Sequence, residues 1–263
     1  MGRLDGKATV ITGGAGEIGS FAGELFVEEG SKVLLVDLKK EALEKAVQSI
    51  GSDAVSYAVA DVTQPEQVEA YVKTAVERYG GIDVFLNNAG IEGPVHPLPA
   101  YEVDDFDKII AVNVRGVFLG MKHVLPVMAE KGAGSIVISS SIAGIIGSPG
   151  MVAYTASKHA TIGIMRVAAI EVAPLGIRVN TINPGPVESR MMQSLESGID
   201  QLSGAMQLDV ENRRTKEKIL KNTPDGRYAT LEEIAKMMLF LASDESSHCT
   251  GGMYMVDGGT TCR

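Results

Sequence analysis

Short runs of β-branched and apolar residues alternate along the chain with longer amphipathic stretches. Seven runs predict strands: Ala8 to Thr12, Lys32 to Asp37, Val55 to Val59, Val84 to Asn87, Ser135 to Ser139, Arg178 to Asn183 and Met253 to Val256. Five stretches between them predict helices: Glu41 to Ile50, Glu66 to Tyr79, Asp104 to Glu130, Tyr154 to Ala173 and Leu231 to Ala242. The strands lack regular apolar and polar alternation, as expected when helices cover both faces of a sheet. The pattern predicts a single α/β domain over residues 1–263, built on a doubly wound parallel sheet.

One region, residues 190–227, interrupts this alternation. It is rich in Met, Ser and charged residues and has weak helical periodicity. It could be a surface excursion of short helices or a lid over a binding site, because long irregular insertions in compact domains are often functional. Its position directly after a predicted strand end favours a substrate-binding lid.

Composition narrows the class of protein. The 263 residues are 45% hydrophobic and carry a formal net charge of -9, which argues against nucleic acid or an anionic membrane as the main partner. No run of about 18 apolar residues suggests a membrane span, and the N-terminus lacks a signal-like apolar region. Cys249 and Cys262 form no CxxC pair. We therefore expect a cytoplasmic protein with reduced thiols and, because its four histidines show no metal-ligand spacing, no metal site.

The first candidate motif is "TGGAGEIG", from Thr12 to Gly19. It follows a predicted strand and opens a helix, where glycines permit a tight turn and the helix N-terminus can bind a pyrophosphate. By itself the motif is weak, since a glycine-rich turn with no ligand has the same pattern. The acid Glu17 is unexpected in a loop of this type.

Asp37 strengthens the interpretation of the glycine loop. It ends the next predicted strand, roughly 20 residues downstream, where a carboxylate can accept both ribose hydroxyls of an adenosine. A carboxylate there would repel a 2'-phosphate, so the expected cofactor is NAD. Lys39 and Lys40 leave NADP as an alternative.

A second motif, "AYTASK", places Tyr154 and Lys158 four residues apart at the start of a predicted helix. This spacing puts both side chains on one face, where the ammonium would favour the phenolate. A phenol with an unperturbed pKa of ~10 is a poor base near neutral pH, so the pair suggests acid/base chemistry. An isolated pair at this spacing is also common in ordinary packing. Upstream, three serines end a buried strand, which is where ligands bind in open α/β sheets.

These motifs occur together in one order. The glycine loop with Asp37, "NNAG" at Asn87 to Gly90, a serine thirteen residues before "YxxxK", and "NPG" at Asn183 to Gly185 resemble the short-chain dehydrogenase/reductase family. The resemblance covers essentially the whole chain and implies a Rossmann fold. Within the family, "NNAGIEG" and "RGVFLGMKHVLPVM" are similar to bacterial NAD-dependent cyclic-ketone and secondary-alcohol dehydrogenases.

The resemblance implies four catalytic residues. Tyr154 would exchange a proton with the substrate oxygen, and Lys158 would hold the nicotinamide ribose and lower the tyrosine pKa. Ser141 would hydrogen-bond the substrate oxygen. Asn113 matches the helix asparagine whose backbone helps to hold a proton-relay water. The implied reaction moves a hydride between a carbinol carbon and the nicotinamide.

The resemblance also implies NAD-binding positions from several parts of the chain. They are Gly13, Gly16, Glu17, Ile18 and Gly19 at the pyrophosphate, Asp37 and Leu38 at the ribose, Asp61 and Val62 at the adenine, Asn87, Asn88, Ala89 and Gly90 along the middle, and Pro184, Gly185, Val187 and Ser189 at the nicotinamide. Two positions depart from the family pattern. Ser189 stands where threonine is usual, and Glu17 occupies the middle glycine of TGxxxGxG. We expect the Glu17 carboxylate to point into solvent and to disfavour NADP.

The expected substrate is a small secondary alcohol or ketone, cyclic or apolar. Glu92, Met151 and Met191 are substrate candidates beside Ser141 and Tyr154, and the lid methionines, including Met206, would add an adaptable apolar wall. Alternatives are a sugar or polyol dehydrogenase, a 3-oxoacyl-carrier-protein reductase and, as the least favoured, a non-catalytic NAD-binding regulatory protein. The family resemblance also implies a homotetramer.

Overall fold

A computed structural model describes residues 2–205 and 215–262. Seven strands form one sheet: β1 (Ala8–Thr12), β2 (Lys32–Asp37), β3 (Val55–Val59), β4 (Val84–Asn87), β5 (Gly134–Ser139), β6 (Ile177–Pro184) and β7 (Met253–Val256). All neighbours are parallel, in the order β3-β2-β1-β4-β5-β6-β7. The predicted doubly wound parallel sheet is confirmed.

Nine α-helices connect or follow the strands in the described part of the chain: α1 (Glu17–Glu28), α2 (Lys40–Ile50), α3 (Pro65–Tyr79), α4 (Val103–Ile110), α5 (Gly116–Lys131), α6 (Val152–Val172), α7 (Arg190–Ala205), α8 (Thr215–Asn222) and α9 (Leu231–Ala242). The predicted helix from Asp104 to Glu130 is interrupted by a π-helical turn, Ala111–Arg115, between α4 and α5. Residues 190–227 contain α7 and α8, whereas Met206 lies outside the described residues.

Helices cover both faces of the sheet, which explains why its strands lack alternation. On β1, Val10 belongs to the apolar layer that includes Val124 of α5, while its neighbour Ile11 belongs to the opposite layer, with Phe26 of α1. Each of these side chains is completely buried. Successive side chains point to opposite faces of a strand, so a strand covered on both faces must be apolar at every position.

The continuous helical stretch Val103–Lys131 is the one segment among the described residues whose length and composition would suffice to cross a membrane. In this fold its buried residues Val117, Val124 and Met128 belong to the core layer against the sheet. The apolar character of the stretch is therefore explained by packing in the core.

Candidate active site

The site lies where the strand order reverses, between β1 and β4. Parallel strands place all their carboxyl ends at one edge, and a crevice forms where neighbouring connections leave in opposite directions. This edge brings together the glycine loop after β1, "NNAG" after β4, the serines after β5 and "NPG" at the end of β6. Motifs separated by more than 150 residues in sequence thus meet in one crevice.

Close backbone packing shapes the glycine loop. Gly13 has a positive φ of 65°, and a Cβ on Gly19 would lie 2.2 Å from the Gly13 carbonyl oxygen. Within the described residues, the amides of Glu17 and Ile18 at the start of α1 donate to no protein acceptor. Free amides at a helix N-terminus suit an anion such as a pyrophosphate.

Asp37 lies beside this loop, at the end of β2. Its carboxylate accepts hydrogen bonds from the Ala15 amide at 3.1 Å and the Leu38 amide at 2.7 Å. The fold therefore holds the Asp37 carboxylate against the glycine loop. Asp61 lies beyond β3, and its carboxylate accepts two hydrogen bonds from Thr63. These bonds order the turn that contains Val62.

Thr12 links the glycine loop to "NNAG", a role that no sequence motif indicated. Its hydroxyl accepts hydrogen bonds from the amides of Asn88 at 3.0 Å and Ala89 at 3.1 Å. The Asn88 side chain donates to the Thr12 carbonyl oxygen, and Asn87 turns into the core to donate to the Val117 carbonyl oxygen. Asn87 therefore supports the crevice through a buried side chain.

Asn113 lies in the π-helical turn and is completely buried. Its side chain accepts a hydrogen bond from the Ile91 amide and donates to the Ile91 carbonyl oxygen, both at 2.9 Å. It also donates to the Ser157 hydroxyl at 3.0 Å, and Ser157 donates to the Tyr154 carbonyl oxygen. Single π turns often mark functional positions in helices. Here the turn ties the loop after "NNAG" to the first turns of α6.

Tyr154 and Lys158 are buried side by side on α6. The Lys158 ammonium lies 5.5 Å from the centre of the tyrosine ring and donates to the Ser139 carbonyl oxygen at 2.7 Å. Burial raises the pKa of Tyr154 to about 12, although a hydrogen bond with Ser141 opposes the rise, and burial lowers the pKa of Lys158 to about 8.

The net shift of the tyrosine pKa is upward, so burial outweighs the lowering expected from Lys158 in this structure. Burial penalises both charged forms, which raises the pKa of a phenol and lowers that of an amine. The Glu92 carboxylate raises the pKa of Tyr154 further. Tyr154 is accordingly held as a protonated phenol at neutral pH.

Ser141 lies two residues beyond the end of β5 and caps a short 3-10 turn, Ile142–Gly144, by accepting a hydrogen bond from the Ala143 amide. The Asn183 side chain donates to the Ser141 carbonyl oxygen at 3.1 Å. Asn183 of the "NPG" motif therefore fixes the backbone of the serine that faces Tyr154.

An apolar cluster surrounds Tyr154. Val95 and Met151 are buried with it, and Leu195 and Ile199 of α7 pack against them. No motif in the sequence singled out these two α7 residues, although their four-residue spacing places them on one helix face. Met191 is 37% exposed and lies outside the cluster. The part of α7 that covers Tyr154 is therefore one turn or more beyond the predicted methionine.

Glu17 does not extend freely into solvent, contrary to the expectation from the sequence. Its two carboxylate oxygens accept hydrogen bonds from the Arg190 backbone amide at 2.8 Å and the Arg190 Nε at 3.2 Å. Nearby, the Ser189 hydroxyl accepts from the Met192 amide, and Val187 pairs with Ala229. The glycine loop thus contacts the start of α7, which no local pattern in the sequence indicates.

Comparison with known proteins agrees with this arrangement. Residues 13–261 match the family model described as "Enoyl-(Acyl carrier protein) reductase". Levodione reductase of Leifsonia aquatica is 39% identical over 262 residues, covering 98% of this chain and 95% of that protein. Short-chain dehydrogenase reductase 3a of Arabidopsis thaliana is 40% identical over 258 residues, covering 98% and 96%.

Solved structures show the same likeness. A crystal structure of levodione reductase has a TM-score of 0.90 at 36% identity, covering 98% of this chain and 99% of that one. A crystal structure of NAD+-bound xylitol dehydrogenase has a TM-score of 0.91 at 35% identity, covering 97% and 99%. With its motifs in family order around one crevice and its whole length matched, the chain belongs to the short-chain dehydrogenase/reductase family of oxidoreductases.

Proposed function

We propose that the protein interconverts a secondary alcohol and a ketone with NAD(H), on a cyclic or otherwise apolar substrate. The observation that carries the proposal is the position of Tyr154, which hydrogen-bonds Ser141 within an apolar cluster that includes Leu195 and Ile199. The levodione reductase relative supports a cyclic ketone, and the NAD+-bound xylitol dehydrogenase supports NAD.

The described residues fit this cofactor. The glycine loop with its free amides would hold the pyrophosphate, Asp37 the ribose hydroxyls, and the backbone from Pro184 to Ser189 the nicotinamide. A Cβ on Gly90 would lie 3.4 Å from the Lys158 ammonium, so the space beside this lysine depends on the glycine. Bound NAD(H) would supply hydride transfer, while the protein supplies position and the proton.

In this mechanism Tyr154 gives a proton from its phenol oxygen to the substrate oxygen during reduction and takes it back during oxidation. Ser141 hydrogen-bonds the same substrate oxygen and orients it. Lys158 places a positive charge beside the phenol, which stabilises the phenolate that forms when the proton leaves. The apolar side chains around Tyr154 exclude water from the reacting groups.

A polyol is the second candidate substrate, and one observation favours it. The Glu92 carboxylate is close enough to Tyr154 to raise the pKa of the phenol, so it could accept hydrogen bonds from additional hydroxyls. The NAD+-bound xylitol dehydrogenase has a similar fold.

A substrate panel separates the two candidates. We expect cyclic apolar alcohols and ketones to give kcat/KM values at least about tenfold above those of polyols, because an apolar pocket does not satisfy buried hydroxyls. NADH absorbance measures the rates. If polyols react faster and Glu92→Gln removes that preference, the polyol assignment replaces the apolar one.

The catalytic role of Tyr154 has its own test. Tyr154→Phe removes the transferable proton with little change in volume, so turnover should fall about 100-fold or more. NADH binding, measured by fluorescence titration, should remain within about twofold of wild type because phenylalanine preserves the shape of the site. Turnover at the wild-type rate would exclude Tyr154 as the proton donor.

The pKa values predict opposite pH responses in the two directions. Reduction uses protonated Tyr154, which is present at every pH well below about 12, together with the Lys158 ammonium, which is lost above about 8. Initial rates of ketone reduction should therefore be constant near neutral pH and fall above about pH 8. Alcohol oxidation needs the phenolate together with the same ammonium, so its rate should rise from pH 7 to about 8 and then level off, because further gain of phenolate is matched by loss of the ammonium. A falling oxidation rate over that interval would contradict this assignment.

Asp37 should set the cofactor preference. Asp37→Asn removes the negative charge that repels a 2'-phosphate. The ratio of kcat/KM with NADH to kcat/KM with NADPH should therefore fall about tenfold, equivalent to ~1.4 kcal/mol. Steady-state kcat/KM with both cofactors measures the change. Asp53→Asn, on the loop that precedes β3, is a matched charge control and should leave the ratio unaltered.

We also propose a cytoplasmic homotetramer. Phe118 on α5 and Val167 and Ile170 on α6 are 52%, 57% and 77% exposed, more than expected for large apolar side chains that face only water. The edge strand β7 offers unpaired backbone groups beside Met253, which is 39% exposed. The acidic composition and free cysteines support the proposed location.

Light scattering should give four times the mass of one chain. Ile170→Glu places a charge in the exposed apolar surface and should reduce that mass, whereas Ile170→Leu should leave it unchanged. A wild-type mass equal to one chain would rule out the tetramer.

A further inference from the structure

Glu17 connects two parts of the site that have separate tasks. It is the first residue of α1, in the loop whose amides face the cofactor position, yet both of its carboxylate oxygens bond to Arg190, 173 positions away. Arg190 is the first residue of α7. The Glu17 carboxylate thus joins the start of α1 to the start of α7, the helix that covers Tyr154.

The bond to the Arg190 amide has a specific structural role. The first amides of a helix have no partner within the helix and need an acceptor from elsewhere. In α7, Ser189 accepts from the Met192 amide, and Glu17 accepts from the Arg190 amide at 2.8 Å. By contrast, α9 is capped locally, by Thr230 directly before it and Glu233 in its own first turn. One of these two caps of α7 therefore comes from the glycine loop.

The position of α7 matters because its middle covers the site. Leu195 and Ile199 pack on the cluster that contains Tyr154. At Gly198 the helix approaches Val95 so closely that an added Cβ would lie 2.8 Å from the valine Cγ2. Arg190 and Leu195 lie within two turns of one helix, so a shift of the first turn would also shift Leu195 and Ile199.

Arg190 also explains how the glycine loop can contain an acidic residue, Glu17. A free carboxylate at this position would repel a pyrophosphate at the adjacent amides. The Arg190 guanidinium lies 3.2 Å from the carboxylate and offsets its charge. The pair lets an acid occupy the loop without leaving a net negative charge beside the phosphate position.

We propose that Glu17 is a positioning residue that anchors α7 to the glycine loop and so holds Leu195 and Ile199 over the substrate. It acts through the first turn of α7 and touches neither the substrate nor the phenol. The consequence for substrate binding rests on the function proposed above, whereas the anchoring itself does not.

Hydrogen exchange followed by mass spectrometry tests the anchor without any turnover. In Glu17→Ala, amides in residues 188–199 should exchange about tenfold faster than in wild type because α7 loses a cap. Glu17→Gln keeps an acceptor for the Arg190 amide and should restore most of the protection. Glu24→Gln removes a charge from an exposed position of the same helix and should change nothing. Unchanged exchange in Glu17→Ala would overturn the proposal.

Kinetics and binding then test the consequence. Glu17→Ala should raise the substrate KM about fivefold with kcat within about twofold, since the cover is displaced while Tyr154 stays in place. Arg190→Met, which leaves the carboxylate unpaired, should weaken NADH binding about fivefold, and Glu17→Gln in that background should restore it. Faster exchange without any alcohol or ketone turnover would show that the anchor exists and that the proposed function is wrong. Normal turnover by the wild type with unchanged exchange in Glu17→Ala would show that the proposed function is right and that the anchor does not exist.

Discussion

The active crevice depends on one constraint, the parallel direction of all seven strands. Because every strand runs the same way, the residues that follow β1, β4, β5 and β6 meet at one edge. The Thr12 hydroxyl then joins the segments after β1 and β4 by accepting hydrogen bonds from the amides of Asn88 and Ala89. Asn183 joins the last two through the Ser141 carbonyl oxygen. Each link uses a side chain to satisfy backbone groups that strand pairing leaves free at the sheet edge.

The chemistry at this edge is governed by burial more than by charge pairing. Tyr154 and Lys158 are neighbours on α6, yet burial raises the pKa of the tyrosine to about 12 and lowers the pKa of the lysine to about 8. Both shifts oppose charge formation, as expected where low-dielectric packing outweighs attraction between the groups. The apolar cluster that would accept a substrate also causes this burial. Substrate binding and the protonated state of Tyr154 therefore have a common origin in the packing of α6 against α7.

The start of α7 shows how cofactor and substrate regions can depend on each other in this fold. Glu17 stands where the family pattern has glycine, and its carboxylate reaches the Arg190 amide and guanidinium. That contact would be impossible for glycine, so this chain holds α7 by an interaction that the family pattern does not provide. The anchored helix then carries Leu195 and Ile199 to the cluster around Tyr154.

The sequence alone determined the parallel sheet, its strand bounds to within one residue, and the motifs that meet at its edge. These depend on local periodicity and on glycines whose spacing is visible in the chain, because burial on two faces requires apolar residues at every strand position. Tertiary structure decided the π-helical turn at Asn113, the high pKa of Tyr154 and the pairing of Glu17 with Arg190. Each of these arises from groups distant in sequence, and solvation and long-range pairing exist only once the chain has packed.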